Sequence, residues 1–169
     1  YALVALQISR RNRRYYMQSM AAPPFRPRHR LLSALLAELP FRPTNAQHRV
    51  SQEILEDLQH NKPMLRLVQG DVGAGKTLVA AMTACHVLEN QWQVALMAPT
   101  EILAEQHFIN FSQWFEPLGI QVAWLAGKQK GKARELAEHR IKTGQAQLVI
   151  GTHALFQASV QFNQLGLVI

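Results

Sequence analysis

Residues 70–77, with the sequence GDVGAGKT, have the residue types and spacing of a loop that binds nucleotide phosphates. Glycines allow such a backbone to curl, so that several N–H groups point toward one phosphate at the start of a helix. Lys76 would bring positive charge to the β and γ phosphates, and the Thr77 hydroxyl would bind Mg²⁺. These two residues are the catalytic candidates. The predicted ATP and magnesium contacts of this segment, called the phosphate loop below, are Gly70, Asp71, Val72, Gly73, Ala74, Gly75, Lys76 and Thr77.

The phosphate loop leaves the reaction open, because kinases, GTPases, transporters and motor ATPases share it. The sequence has no Asn-Lys-x-Asp signature, which disfavours a GTPase. An ATPase of this kind also needs an acid at the end of a second strand, to orient Mg²⁺ and the attacking water. Residues 165–169 have the apolar character of that strand, but the sequence ends where the acid would stand. We therefore expect a sequence truncated before that acid.

Two other segments follow predicted strands and open helices or turns. The segment PTE follows residues 94–98, and GTH follows residues 148–150. Ligands of open α/β sheets bind beyond the carboxyl ends of the strands, and helix N-terminal amides can hold a phosphate. Contacts with a nucleic-acid backbone are therefore one interpretation, and an ordinary capped helix start and a plain turn are the other. The residues concerned are Pro99, Thr100, Glu101, Gly151, Thr152 and His153.

A basic loop, GKQKGKAR, occupies residues 127–134. Its lysines Lys128 and Lys130 could contact a nucleic-acid backbone, and such contacts make binding sensitive to salt. A solvated lysine loop is the alternative. Gln47 precedes the phosphate loop in the sequence, and its amide could both donate to and accept from an adenine edge. A surface glutamine on a helix is the alternative there.

The elements that must position these residues alternate along the chain. Apolar spacing predicts helices over residues 31–39, after Thr44 or Asn45, and over 76–89, 102–115 and 133–142. Apolar runs predict strands at 64–69, 94–98, 121–126, 148–150 and 165–169. Alternating strands and helices imply an α/β fold, with a parallel sheet and helices on both faces. The phosphate loop should connect the first of these strands to the helix over 76–89.

Charge separates the N-terminal region from the rest of the 169 residues. The first 50 residues hold nine arginines and one acid, Glu38, a balance of +8, whereas the remainder holds nine bases and ten acids. We predict a basic linker over residues 1–40, helical in part and rich in proline, followed by one nucleotide-binding lobe over 41–169. No run of 18 apolar residues predicts a membrane span, and the single Cys85 is consistent with a reduced compartment. Import into an organelle stays open, because the first segment is rich in arginine and free of acids.

Four segments, taken in order, resemble superfamily 2 DNA helicases. They are F-x-x-T-x-x-Q at residues 41–47, QGDVGAGKT at 69–77, MAPTEILAEQH at 97–107 and VIGTHALFQ at 149–157. Residues 124–134 and 161–169 are most similar to the RecG branch, ATP-dependent enzymes that remodel branched DNA and stalled replication forks in recombination and repair. The resemblance implies a RecA-like lobe of the P-loop NTPase fold, binding ATP and Mg²⁺. It also implies that Gln47 reads adenine and that residues 99–101 and 151–152 face DNA.

The sequence departs from that family in extent. The resemblance implies an Asp-Glu-x-His motif directly after Ile169, a second RecA-like lobe with arginine fingers and an N-terminal wedge domain, none of which the sequence contains. We therefore expect no hydrolysis or unwinding by this chain alone, and a parent helicase in the bacterial cytoplasm, at the nucleoid. A small-molecule kinase and a truncated product that only binds nucleic acid through residues 10–30 are the alternatives.

Overall fold

The computed structural model describes residues 20–127, 129 and 131–169. The strands are β1 (Gln93–Met97), β2 (Val122–Leu125), β3 (Leu148–Gly151) and β4 (Leu165–Val168). The helices are α1 (Arg30–Glu38), α2 (Asn45–Leu58), α3 (Lys76–Glu89), α4 (Glu101–Phe115) and α5 (Lys132–Lys142), with short 3-10 turns at Glu116–Leu118 and His153–Phe156. The first 19 residues of the predicted basic linker lie outside the described residues.

The four strands form one parallel sheet in the order β2-β3-β1-β4. Successive strand residues enter different cores: Val94 and Leu96 pack with α1 to α4, whereas Ala95 packs with α5. This alternation shows that both faces of the sheet are buried, as parallel sheets require. The predicted α/β class with helices on both faces is confirmed, and the RecA-like assignment rests on the comparisons reported below.

The predicted first strand, over residues 64–69, is wrong. These residues form no strand and make no backbone hydrogen bond with any other described residue. Leu65 and Leu67 are 72% and 79% exposed. Arg66 instead bonds to α2, at 2.8 Å from Glu53 and 2.7 Å from Asp57. The apolar character of residues 64–69 indicated a strand, but a strand forms only where a neighbouring strand completes its hydrogen bonds. The edge strand β4 pairs only with β1 among the described strands, so residues 64–69 do not join the sheet there.

The two edges of the sheet differ in what covers them. At the carboxyl ends of the strands, called the loop edge, lie the connections that follow β1, β2 and β3. At the amino ends, called the strap edge, the chain before α1 crosses the start of β4. Phe25 is buried there against Trp92, with ring centroids 5.9 Å apart. A Cβ on Gly166 would come within 2.8 Å of the Phe25 ring, so this crossing requires glycine.

A buried glutamine joins four backbone groups at the strap edge. Gln93 Nε2 donates to the carbonyls of Ile141 and Ala146, at 2.9 and 2.7 Å. Its Oε1 accepts from the N–H groups of Asn163 and Gln164, at 2.7 and 3.0 Å. The end of α5 and the connection into β4 are thereby fixed to β1. No helix in the described part of the chain has the length and apolar character needed to cross a bilayer.

Candidate functional site

The phosphate loop turns into α3 through two glycines in the left-handed region. Gly73 has φ of 84° and Gly75 has φ of 74°, values that L side chains rarely adopt. Gly75 is the residue before α3, and its carbonyl accepts the first helical bond, from the N–H of Leu78 at 2.9 Å. The glycine spacing of the sequence is therefore required by the backbone path.

The amides of this turn fit an anion. Among the described residues, no acceptor bonds to the N–H groups of Gly73, Gly75, Lys76 and Thr77. A Cβ on Gly73 would meet nothing within 4 Å, and Val72 is fully exposed, so this side of the loop is open. Unpaired amides at the positive end of a 14-residue helix are the arrangement that binds phosphate.

Lys76 lies across the same opening. Its ammonium donates to the carbonyls of Gly70 and Asp71, at 2.8 and 2.7 Å. Residues 68–71 and Lys76 line a cavity of about 580 Å³. An ammonium has three donors, so Lys76 can reach a phosphate oxygen with its third donor or by exchanging a carbonyl. Thr77 is half-buried in the first turn of α3, which places its side chain beside the turn amides.

Gln47 contacts the phosphate loop directly. Its Nε2 donates to the Ala74 carbonyl at 2.9 Å, and its Oε1 accepts from the Thr44 N–H at 2.8 Å. Thr44 Oγ1 in turn accepts from the Gln47 N–H at 3.2 Å, which completes a capping box at the start of α2. Gln47 therefore lies beside the phosphate loop, and its part in binding the nucleotide, including recognition of adenine, stays a prediction. The Thr-x-x-Gln spacing was the signal for the capping box that our sequence reasoning missed.

The ends of β1 and β3 bring two predicted nucleic-acid segments together. Met97 stands opposite Gly151 in the sheet, and the Ala98 N–H donates to the Gly151 carbonyl at 2.9 Å. Pro99 and Thr100 are exposed, and Thr100 Oγ1 accepts from the Leu103 N–H at 3.3 Å to cap α4. The N-terminus of α4 thus opens beside the end of β3, at the loop edge.

The other predicted residues of this edge differ in exposure. Thr152 is 3% exposed, and its buried Oγ1 has no hydrogen-bond partner among the described residues. A Cβ on Gly151 would collide with the Leu125 carbonyl, so β2 and β3 approach too closely for any other residue. His153 is exposed and Glu101 is half-buried. Lys128 and Lys130 lie outside the described residues, so their contact with DNA stays a prediction.

No group of three His, Cys, Asp or Glu side chains able to hold a metal occurs among the described residues. The described chain therefore offers Mg²⁺ no ready-made cage, and the predicted magnesium ligand is the Thr77 hydroxyl together with the nucleotide's own oxygens. Cys85 is buried inside α3, and burial raises the pKa of its thiol, which keeps it protonated and unreactive.

Residues 44–169 match the family described as DEAD/DEAH box helicase. The chain is 58% identical over 167 residues to the ATP-dependent DNA helicase RecG of Pasteurella multocida (strain Pm70), covering 99% of this chain and 24% of that protein. It is 59% identical over 152 residues to the RecG of Escherichia coli (strain K12), covering 90% and 22%. The chain thus spans about a quarter of the length of these relatives.

Solved structures give the same result. The structure described as RecG bound to a three-way DNA junction superposes with a TM-score of 0.90 at 40% identity, over 99% of this chain and 23% of that one. The UvsW helicase of bacteriophage T4 superposes with a TM-score of 0.55 at 18% identity, over 94% of this chain and 49% of that one, a likeness of fold alone. The arrangement of strands and helices is therefore that of a helicase motor lobe.

Proposed function

The chain belongs to the DEAD/DEAH box helicase family, and on that premise we propose that it is the ATP-binding lobe of a RecG-type helicase. The longer protein would remodel branched DNA and stalled replication forks, in recombination and repair. Two RecG proteins to which the chain is similar are named as ATP-dependent DNA helicases, and a solved RecG is described as bound to a three-way DNA junction. A second RecA-like lobe and a wedge domain would complete the machine. Its location would be the bacterial cytoplasm, at the nucleoid.

The open phosphate loop is the observation that carries this proposal. Its free amides and the Lys76 ammonium can share the negative charge of a triphosphate, which is most of what phosphoryl transfer asks of a protein. Mg²⁺, when bound with ATP, supplies further charge neutralisation. The Thr77 hydroxyl would hold that ion, and Gln47 would exchange one of its present bonds for the adenine edge.

The loop edge would provide the DNA contact. The exposed N-terminus of α4 at Thr100 and the exposed His153 lie at adjacent strand ends, on the edge toward which α3 presents its own N-terminus. A change in the loop can therefore reach the DNA-facing segments through α3, which packs against β1. The exposed side chains there would bind phosphates and not bases, which predicts binding independent of DNA sequence.

The test is Lys76→Ala in the longer protein, with Lys62→Ala, an exposed lysine outside the site, as the matched control. We expect Lys76→Ala to lower DNA-stimulated ATP hydrolysis by at least a hundredfold, because the charge facing the β and γ phosphates is lost, while DNA affinity changes less than threefold. The control should hydrolyse ATP at the wild-type rate. Normal turnover by Lys76→Ala would overturn the proposal. The 169-residue chain by itself should show no measurable hydrolysis.

A further inference from the structure

The residues before α1 form a fixed segment on the strap edge. We call residues 22–30 the strap. The Arg26 N–H donates to Asn90 Oδ1 at 3.2 Å, and Asn90 Nδ2 donates back to the Arg26 carbonyl at 3.0 Å. Phe25 is buried, and its N–H donates to the Leu58 carbonyl at 2.9 Å. The strap therefore has a defined position on the end of α3 and does not hang free as a linker.

Further bonds fix the strap where it enters α1. His86 Nδ1 lies 3.3 Å from the Arg28 carbonyl, and Arg28 Nη1 donates to the Glu89 carbonyl at 3.3 Å. Glu89 Oε1 accepts from the Leu31 N–H at 2.6 Å, so this carboxylate caps α1 and is directed at the backbone. Fixing the backbone in advance removes most of the entropy that a flexible arm loses on binding.

The fixed strap exposes three arginines at alternate positions: Arg26, Arg28 and Arg30. None of them forms an ion pair with any described acid. Prolines favour extended backbone around Arg26 and Arg28, and two extended residues span about 6–7 Å. Arg30 is the first residue of α1, and His29 before it has ψ of 3°. A DNA duplex presents a phosphate about every 3.4 Å of axis along each strand, so arginine side chains at these positions can reach several phosphates.

The strap lies far from the DNA contacts proposed above. It crosses the amino ends of the strands, whereas Thr100 and Thr152 follow their carboxyl ends. The helix α3, about 21 Å long for 14 residues, runs from the phosphate loop to the strap. A DNA arm held at the strap would therefore be a different part of the branched substrate from the arm at the loop edge.

We propose that the strap is a second DNA-binding surface, in which Arg26, Arg28 and Arg30 bind phosphates of a duplex arm without reading its sequence. The inference rests on the proposed function for its ligand class, but the surface is separate from the nucleotide site. DNA binding would also account for the excess positive charge of the N-terminal region, in which Glu38 is the single acidic residue among the first 50.

The experiment measures fluorescence anisotropy of a labelled 30-base-pair duplex with the full 169-residue chain, between 50 and 200 mM salt. The strap variant combines Arg26→Gln, Arg28→Gln and Arg30→Gln. The matched control removes three exposed charges elsewhere, by Arg42→Gln, Arg49→Gln and Lys62→Gln. Each phosphate that a variant no longer binds should reduce the slope of log affinity against log salt by about 0.9. We expect the slope of the strap variant to fall by about 2–3 and its affinity at least tenfold, whereas the slope of the control should fall by less than about 1.

Replacing the same arginines by lysine separates charge from structure. Arg26→Lys, Arg28→Lys and Arg30→Lys together should keep most of the slope, because lysine still binds phosphate as a point charge. Equal losses in the strap variant and the control, equal losses in the lysine and glutamine variants, or salt-independent binding by the wild type would each overturn the proposal. Failure here leaves the ATPase test of the proposed function intact.

Discussion

The loop edge and the strap edge of the same sheet use their polar groups in opposite ways. At the loop edge, amides of the phosphate-loop turn and the Thr152 hydroxyl have no partner in the described chain. At the strap edge, Gln93 uses both its amide nitrogen and its oxygen, and Asn90 bonds twice to Arg26. A group left unpaired can bind a ligand, whereas a group already paired stabilises the fold. The comparison predicts that mutations at the two edges separate binding from stability.

The largest expected effect is on stability, from Gln93→Leu. Leucine fills much of the space but leaves the Ala146 carbonyl and the N–H groups of Asn163 and Gln164 without partners, which costs about 3–4 kcal/mol of unfolding free energy. The Ile141 carbonyl keeps its bond from the Gly144 N–H. Denaturant unfolding of the chain measures this, with the exposed Gln52→Leu as control, expected to change the free energy by less than about 0.5 kcal/mol. ATP affinity of folded Gln93→Leu should equal that of the wild type. A loss of affinity without a loss of stability would break the comparison.

A smaller effect is expected from alanine at the two glycines of the phosphate loop. Both replacements force a side chain into positive φ, at a cost of about 1 kcal/mol in unfolding free energy. Gly75→Ala should cost about 1 kcal/mol more, because its Cβ displaces Gln47 from the Ala74 carbonyl, whereas the space around Gly73 is open. In a Gln47→Ala background the two replacements should become equal. Unchanged costs in that background would show that Gln47 does not hold the loop.

The smallest expected effect is a dependence of strap stability on pH. Burial lowers the pKa of His86; the Arg28 carbonyl opposes this, His29 adds to it and Glu89 opposes it. The folded chain therefore favours neutral His86. The stability that neutral His86 contributes is fully present above about pH 6.5 and is lost as pH falls below that value. One proton limits the slope to about 1.4 kcal/mol per pH unit.

The Leu31 amide bonds to Glu89 where the strap enters α1. Its protection factor, which is the intrinsic exchange rate divided by the observed rate at the same pH, should fall between pH 7 and 5.5. His86→Asn should remove this loss of protection, and the comparison also sets aside His107, whose pKa burial lowers in the same direction. The free amides of the phosphate loop provide the internal reference, since none lies near His86. An equal loss of protection in wild type and variant would contradict the assignment.

Local chemistry explains which expectations held. The left-handed glycines and the start of the helix at Lys76 depend only on residues close together in the sequence, so the phosphate loop could be predicted from the sequence. The α1 helix and the parallel sheet also follow from apolar spacing. The prediction of a strand over residues 64–69 was wrong because a strand needs hydrogen bonds to a second segment, and the apolar pattern of one segment does not show whether that partner is there. The sequence did not indicate the role of Gln93, because its four hydrogen-bond partners lie about 50 and 70 positions away and only the fold brings them to it.

The sequence by itself determined the order of the elements, the phosphate-binding turn and the concentration of arginine before residue 50, because these depend on residue type and short-range spacing. Only the tertiary structure decided where that charge lies. Asn90 and Glu89 bind backbone groups about 60 positions earlier in the chain, which converts a proline-rich basic stretch into a fixed surface at the edge opposite the nucleotide loop. Hydrogen bonds between distant segments set this position, and no local pattern encodes them.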